Sequence, residues 1–280
     1  MTTGKAETWP NLVTMFLDRA EVGGEAPFLW ARQEGTYKSR SWREAATQVS
    51  ELARALKSLG VEKGDRVMLV CENRPEWLIA DVAIMATGGI TVPAYITNTE
   101  ADHRHIIENS GAKVAIISKA GFVDRVLPAA VKTDIVKDII AIEKPDVDQN
   151  VGVNLYQWDE LLEKGAALHD NIVEGTENLR RDETACIIYT SGTGGAPKGV
   201  MLSHGAILHN CAGARDAIQE LGLDDEVFLS FLPLSHSYEH TAGQFFPISI
   251  GAQIYYCEAD TLATNMLEAR PTIMTAVPRL

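Results

Sequence analysis

The residues best suited to chemistry lie at positions 189–204, YTSGTGGAPKGVMLSH. Three hydroxyls (Thr190, Ser191, Thr193) alternate with three glycines (Gly192, Gly194, Gly195), and Ala196, Pro197 and Lys198 follow. Glycines let a backbone turn its N–H groups inward and approach an anion closely. Hydroxyls add donors and the lysine adds a point charge, so the segment offers what a triphosphate needs. Ordinary surface turns also use Gly, Ser and Thr. They do not call for an apolar strand in front, Pro-Lys-Gly inside and a strand-like Val-Met-Leu behind. The Walker form needs Gly-Lys followed by Ser or Thr and opens into a helix, whereas Lys198 sits between Pro197 and Gly199. The dinucleotide fingerprint GxGxxG is absent.

A second constellation, His236, Glu239 and His240, spells H-x-x-E-H. On a helix this spacing would set two imidazoles on one side for zinc, with the glutamate as base. Pro233 and the following Leu-Ser point instead to chain arriving from a loop, and the sequence offers no clear third ligand. Taken alone, His236 fits either a pocket wall or a core histidine. His103 and His105 are two apart beside Asp102, so on a helix they face different ways, and both read as surface residues. The five tryptophans are scattered and read as core or half-buried.

The elements that must position these residues alternate between helix and strand. Ser41 with Glu44 three residues on forms a capping box, followed by an apolar stripe of Ala45, Val49, Leu52, Ala53 and Leu56. Residues 66–71 read as a buried strand, and Pro75 opens the next helix. Strands follow at 89–93, 112–118 and 135–142, with a helix at 100–109 and an acidic surface loop at 143–154. In the second half, strand 185–190 leads into the glycine-rich loop, and Ser203 caps a helix. Then come strand 227–232, a helix at 241–250, strand 252–257, helix 261–269 and a buried β-branched strand at 272–277. Such alternation predicts layered α/β architecture with mostly parallel sheets. A boundary between two α/β subdomains is expected near 143–182.

Bulk properties narrow the partners. The chain has 280 residues, 46% hydrophobic and 22% charged, which is an ordinary globular composition. A net charge of −13 argues against a nucleic-acid partner, which needs a basic face. Cys71, Cys186, Cys211 and Cys257 form no CxxC pair, which argues against a disulfide framework and fits a reducing, cytoplasmic setting. Residues 1–10 lack the pattern of a secretory signal. The apolar stretch 77–95 contains Asp81, two glycines and Pro93, so it reads as a buried helix plus strand and no transmembrane segment is expected.

TSGTGGAPKG resembles the phosphate-binding loop of adenylate-forming enzymes, the superfamily of acyl-CoA synthetases, peptide-synthetase adenylation domains and luciferases. That loop usually reads T-S-G-T-T-G-x-P-K-G. SWREAATQVSELARALKSLGVEKGDRVMLV resembles the family's early helix and strand, and positions 88–95 the strand entering the acyl-binding core. LPLSHSYEHTAG resembles the segment bordering the acyl pocket, and the wording there and at 119–170 is most similar to long-chain fatty acyl-CoA synthetases. The likeness runs from about Leu12 onward.

The resemblance implies two half-reactions: a carboxylate attacks the α-phosphate of Mg-ATP, and CoA thiol then attacks the acyl carbon and releases AMP. It implies that Thr190, Ser191, Gly192, Thr193, Gly194, Gly195, Ala196, Pro197 and Lys198 hold the β- and γ-phosphates. The Thr190 hydroxyl is the implied Mg²⁺ contact, His236 lines the junction of acyl and nucleotide pockets, and Lys198 and His236 are the candidate catalytic residues. The implied fold is the N-terminal portion of such an enzyme. Peripheral membrane contact to collect a fatty acid stays open. Two departures matter. Gly194 stands where the family has a second threonine, and the aromatic-Gly-x-Thr-Glu, ribose-binding aspartate, hinge and lysine-domain motifs are missing from these 280 residues, so the chain alone is expected to be inactive. A non-catalytic nucleotide-binding module of the same fold is the alternative expectation.

Overall fold

The structure, a computed structural model, describes residues 9–147, 152–190, 195–223 and 225–277. The strands are β1 (Pro27–Gln33), β2 (Thr36–Ser41), β3 (Arg66–Val70), β4 (Ile90–Ala94), β5 (Val114–Ile117) and β6 (Asp138–Ala141). They continue as β7 (Asn154–Gln157), β8 (Thr184–Thr190), β9 (Lys198–Ser203), β10 (Val227–Ser230), β11 (Gln253–Tyr256) and β12 (Ile273–Met274). The helices are α1 (Leu12–Gly23), α2 (Trp42–Ser58), α3 (Pro75–Ala86), α4 (Glu100–Ser110), α5 (Val123–Thr133) and α6 (Trp158–Ala166). After them come α7 (Ile172–Thr176), α8 (His204–Ile218), α9 (Ser237–Glu239), α10 (Phe246–Ile250) and α11 (Leu262–Ala269).

Two sheets organise these elements. A seven-stranded sheet runs β7-β6-β5-β3-β4-β8-β9, and a five-stranded sheet runs β12-β10-β11-β1-β2. Pairing is parallel except for β1 with β2 and β8 with β9. The period-2 alternation of strand side chains sorts the core into layers. In β3, Val67 and Leu69 face the central helices α2 and α3, whereas Met68 and Val70 face α4 and α5 on the outer side. In β10, Phe228 joins the central core and Leu229 packs toward α11. The order is helix, sheet, helix, sheet, helix. The central α3 is buried along its whole length, its Glu76 and Asp81 included.

Local signals explain the boundaries. Ser41 and Glu44 make the expected reciprocal cap of α2, and Pro75 occupies the first turn of α3. Gly165 lets α6 approach α2 closely, since a Cβ there would lie 1.9 Å from the Glu51 carbonyl oxygen. Segment 143–182, where a subdomain boundary was expected, lies within the seven-stranded sheet. It carries β7, an edge strand of that sheet, and the strands before and after it in the chain, β6 and β8, belong to the same sheet. The run 272–277 is not a buried strand: only Ile273–Met274 pair, half-buried at the sheet edge beside β10. The helix expected at 241–250 is instead a π-helical turn, His240–Phe245, followed by α10. Among the described residues no helix is long and apolar enough to cross a membrane.

Candidate active site

The candidate phosphate loop closes a β-hairpin. β8 runs parallel to β4, and β9 returns antiparallel with Thr190 opposite Lys198 and Tyr189 opposite Gly199. Thr190 and Lys198 therefore stand side by side at the mouth of the hairpin, both exposed. Ser191, Gly192, Thr193 and Gly194 lie outside the described residues. Gly195 has φ +123°, a backbone that L side chains resist, with open space where a Cβ would point. Gly199 serves packing: a Cβ there would come within 2.7 Å of Ile187 Cγ2 and 3.2 Å of Tyr189 Cζ.

Helix α4 braces both arms of this hairpin. His105 Nε2 lies 2.8 Å from the Pro197 carbonyl, and the Tyr189 hydroxyl donates to Asn109 Oδ1 at 2.7 Å. His105 and Tyr189 also meet edge to face. The surface reading of the two histidines is thus corrected. They do face different ways, but His103 is buried, its pKa lowered to about 4 chiefly by desolvation, and His105 touches the loop.

The second candidate segment leaves β10. Asn73, just past β3, donates through Nδ2 to the Leu232 carbonyl (2.7 Å) and Ser230 Oγ (3.1 Å). Its Oδ1 accepts from the Leu234 N–H at 3.2 Å. One side chain of the seven-stranded sheet thereby holds the exit from the five-stranded one. His236 follows, exposed, as the N-cap of α9, with Nδ1 accepting from the Tyr238 N–H at 3.2 Å. That acceptor role puts the neutral ring's proton on Nε2. The core-histidine reading is excluded by this exposure. Phe231, Pro233, Leu234 and Ser235, with Tyr95 beyond β4 and Cys257 beyond β11, line a cavity of about 490 Å³. It opens at the carboxyl ends of the strands, where open α/β sheets place ligands.

The H-x-x-E-H spacing dissolves in three directions. His240 Nε2 meets Asp81 Oδ2 at 2.8 Å, Gln244 donates to the same oxygen, and Cys186 Sγ lies 3.7 Å from Nδ1. Burial pulls the His240 imidazolium down, but Asp81 and Cys186 together outweigh it and raise the pKa to about 10. Glu239 turns the other way, bonded to Ser230 and Thr275, and burial pushes its pKa up to about 7. Among the described residues no group of three or more His, Cys, Asp or Glu could hold a metal ion.

The sequence profile of the family described as AMP-binding enzyme matches residues 16–280. The chain belongs to the AMP-binding enzyme family. A human long-chain-fatty-acid–CoA ligase is 30% identical over 280 residues, which cover 98% of this chain and 41% of that protein. A peroxisomal long-chain acyl-CoA synthetase of Arabidopsis thaliana is also 30% identical, over 96% of this chain and 41% of its own length. The chain thus spans less than half of these relatives. Among solved structures, a fatty acyl-adenylate ligase from L. pneumophila, bound to acyl adenylate and pyrophosphate, superposes with TM-score 0.77 at 18% identity. It covers 99% of this chain and 46% of its own. The adenylation domain of a Segniliparus rugosus carboxylic acid reductase, bound to AMP, gives TM-score 0.78 at 21% identity, covering 96% of this chain and 49% of its own. At these identities the likeness establishes the fold. This AMP-binding family member therefore has the layered architecture of adenylation domains.

The donor set of the hairpin fits a polyphosphate: an exposed ammonium, an exposed hydroxyl beside it and glycine backbone. Thr190 supplies one hard oxygen, which suits Mg²⁺, an ion that keeps waters and phosphate oxygens as most of its ligands. Sequence reasoning missed Asn73, His105 and Asn109 as supports. Only the position of His105 on a helical face shared with Asn109, i and i+4, hinted at a common partner.

Proposed function

We propose that this chain is the N-terminal part of the adenylation domain of an AMP-forming acid–thiol ligase, which uses ATP and Mg²⁺ to activate a long-chain fatty acid and passes it to CoA. The hairpin carries this reading: Thr190 and Lys198 are paired at its mouth, on the same carboxyl-end edge of the strands as the cavity beside His236. In the first step a carboxylate oxygen bonds to the α-phosphorus and the bond to pyrophosphate breaks. Charge gathers on the departing pyrophosphate, where Lys198 and the loop N–H groups stabilise it. In the second step the CoA sulfur bonds to the acyl carbon and AMP leaves. The acid group sits near His236 Nε2, and the apolar wall of Phe231, Pro233 and Leu234 receives the start of its chain. The similarity to long-chain-fatty-acid–CoA ligases supports that choice of acid.

Fatty-acid-dependent exchange of pyrophosphate into ATP, measured on the full-length natural protein, tests the reading. Exchange that needs a long-chain acid and falls with Lys198→Ala is expected. Nucleotide binding without exchange would favour a non-catalytic module, for which the replacement of a loop threonine by Gly194 is the motivating feature.

A further inference from the structure

We propose that His105 is a positioning residue of the phosphate loop, fixing the Pro197–Lys198 peptide through a hydrogen bond from its Nε2–H to the Pro197 carbonyl. The proposal rests on the phosphate-loop reading above. A carbonyl oxygen can only accept, so at 2.8 Å the His105 Nε2 must carry hydrogen. Pro197 has no N–H of its own, and the β8–β9 ladder begins one residue later, at Thr190 opposite Lys198. The Pro197 carbonyl thus belongs to the residue just before the first paired one, and His105 is what holds it.

The brace is a stiff one. α4 is capped at its start by the reciprocal Thr99–Asp102 pair and closed at its end by Gly111 in the left-handed conformation. Its Ile106 and Ile107 are buried in the outer core of the seven-stranded sheet. From that anchored helix, Asn109 takes the Tyr189 hydroxyl of the outgoing arm and His105 takes the carbonyl of the returning arm. The two ties hold a residue on each side of the loop to one helix. Lys198 is the next residue after the tied carbonyl, so the orientation of that peptide aims its side chain. Releasing the carbonyl leaves the strands paired but lets the ammonium wander.

Two substitutions separate the hydrogen bond from the packing. His105→Phe keeps a ring against Tyr189 and removes the donor, whereas His105→Gln keeps an N–H at similar reach and removes the ring. The probe is Mg²⁺-tripolyphosphate, which needs no adenine pocket, titrated calorimetrically into the purified 280-residue chain, with a melting curve for each variant. His105→Phe is expected to weaken binding about fivefold, the effect of one lost hydrogen bond, with melting unchanged. His105→Gln is expected to stay within about twofold of the parent chain. Full affinity in His105→Phe, or equal losses in both variants, would overturn the proposal. Lys198→Ala serves as reference. If it weakens binding while His105→Phe does not, the positioning role alone fails. If the parent chain does not bind tripolyphosphate, or Lys198→Ala leaves binding intact, the phosphate-loop reading fails and takes this proposal with it.

Discussion

Lys198 and His236 share one property, exposure on an edge where the chain has room for a ligand, and they differ in what holds them. Lys198 is placed by strand pairing, so its removal should leave the fold intact. Lys198→Ala in the full-length protein is expected to raise KM for ATP by roughly 10- to 150-fold, from loss of a charge-assisted contact of about 1.5–3 kcal/mol, with KM for CoA unchanged. Steady-state kinetics with each substrate varied would check it, and an unchanged ATP dependence would mean that Lys198 serves only the surface. The His236 side chain makes one hydrogen bond, accepting from the Tyr238 N–H of its own short helix. His236→Ala should therefore cost less than about 1 kcal/mol of stability. It should slow acid-dependent pyrophosphate exchange by on the order of tenfold or more, as loss of a positioned donor does. A large fall in melting temperature with normal exchange would defeat that assignment.

The π-helical turn is the element whose role was least visible beforehand. A π turn widens the spacing of side chains and is common at functional or strained places. Here it brings His240 and Gln244 together on Asp81 of α3 and leaves Gly243 beneath Glu239. A Cβ at 243 would sit 2.2 Å from Glu239 Oε1, so Gly243→Ala should destabilise the chain by about 1–3 kcal/mol, measured by urea unfolding. His240→Ala should cost more, on the order of 3–5 kcal/mol, because it strands the Asp81 carboxylate in the core.

Buried ionisable groups pull the pH dependence of stability in opposite directions: Glu239 and His240 at that turn one way, His103 and His204 the other. Glu239 and His240 have folded pKa values above their unfolded ones, so their contributions fall as pH rises, whereas those of His103 and His204, both held near 4 by burial, are present above about pH 6.5 and lost as pH falls toward 4. The Glu239 contribution is present below about pH 4.5 and lost as pH rises through about 7. That of His240 is present below about pH 6.5 and lost as pH rises through about 10. Glu239→Gln should remove the downward contribution to stability between pH 4.5 and 7 and stabilise the chain at pH 8 by on the order of 3 kcal/mol. Urea midpoints at pH 5, 7 and 9 would show it, and an unaltered slope would mean that Glu239 ionises freely. At the same scale, Asn73 is the tie between the sheets. Asn73→Ala removes three hydrogen bonds and should lower stability by about 2–3 kcal/mol while loosening the segment that leads to His236.

Local sequence was enough for what depends on near neighbours. The Ser41 capping box, the stripe of α2, the Ser203 cap of α8 and the strand leading into the glycine loop all follow from periods and caps that a short window contains. The loop itself was legible because a polyphosphate demands glycines, hydroxyls and a lysine within one short segment. What the window could not hold is who braces whom. β1 and β2 come early in the chain yet join β10, β11 and β12, because a sheet is completed by whichever strand buries the exposed edge. His240 and Asp81 lie 159 positions apart and His105 and Pro197 92 apart, so no spacing rule connects either pair. The π turn was read as ordinary helix because its apolar pattern is compatible with either winding, and the demand of the buried Asp81 for two donors is met only once α3 packs against it. Tertiary packing chose the partners, since only there do desolvated polar groups have to find one another.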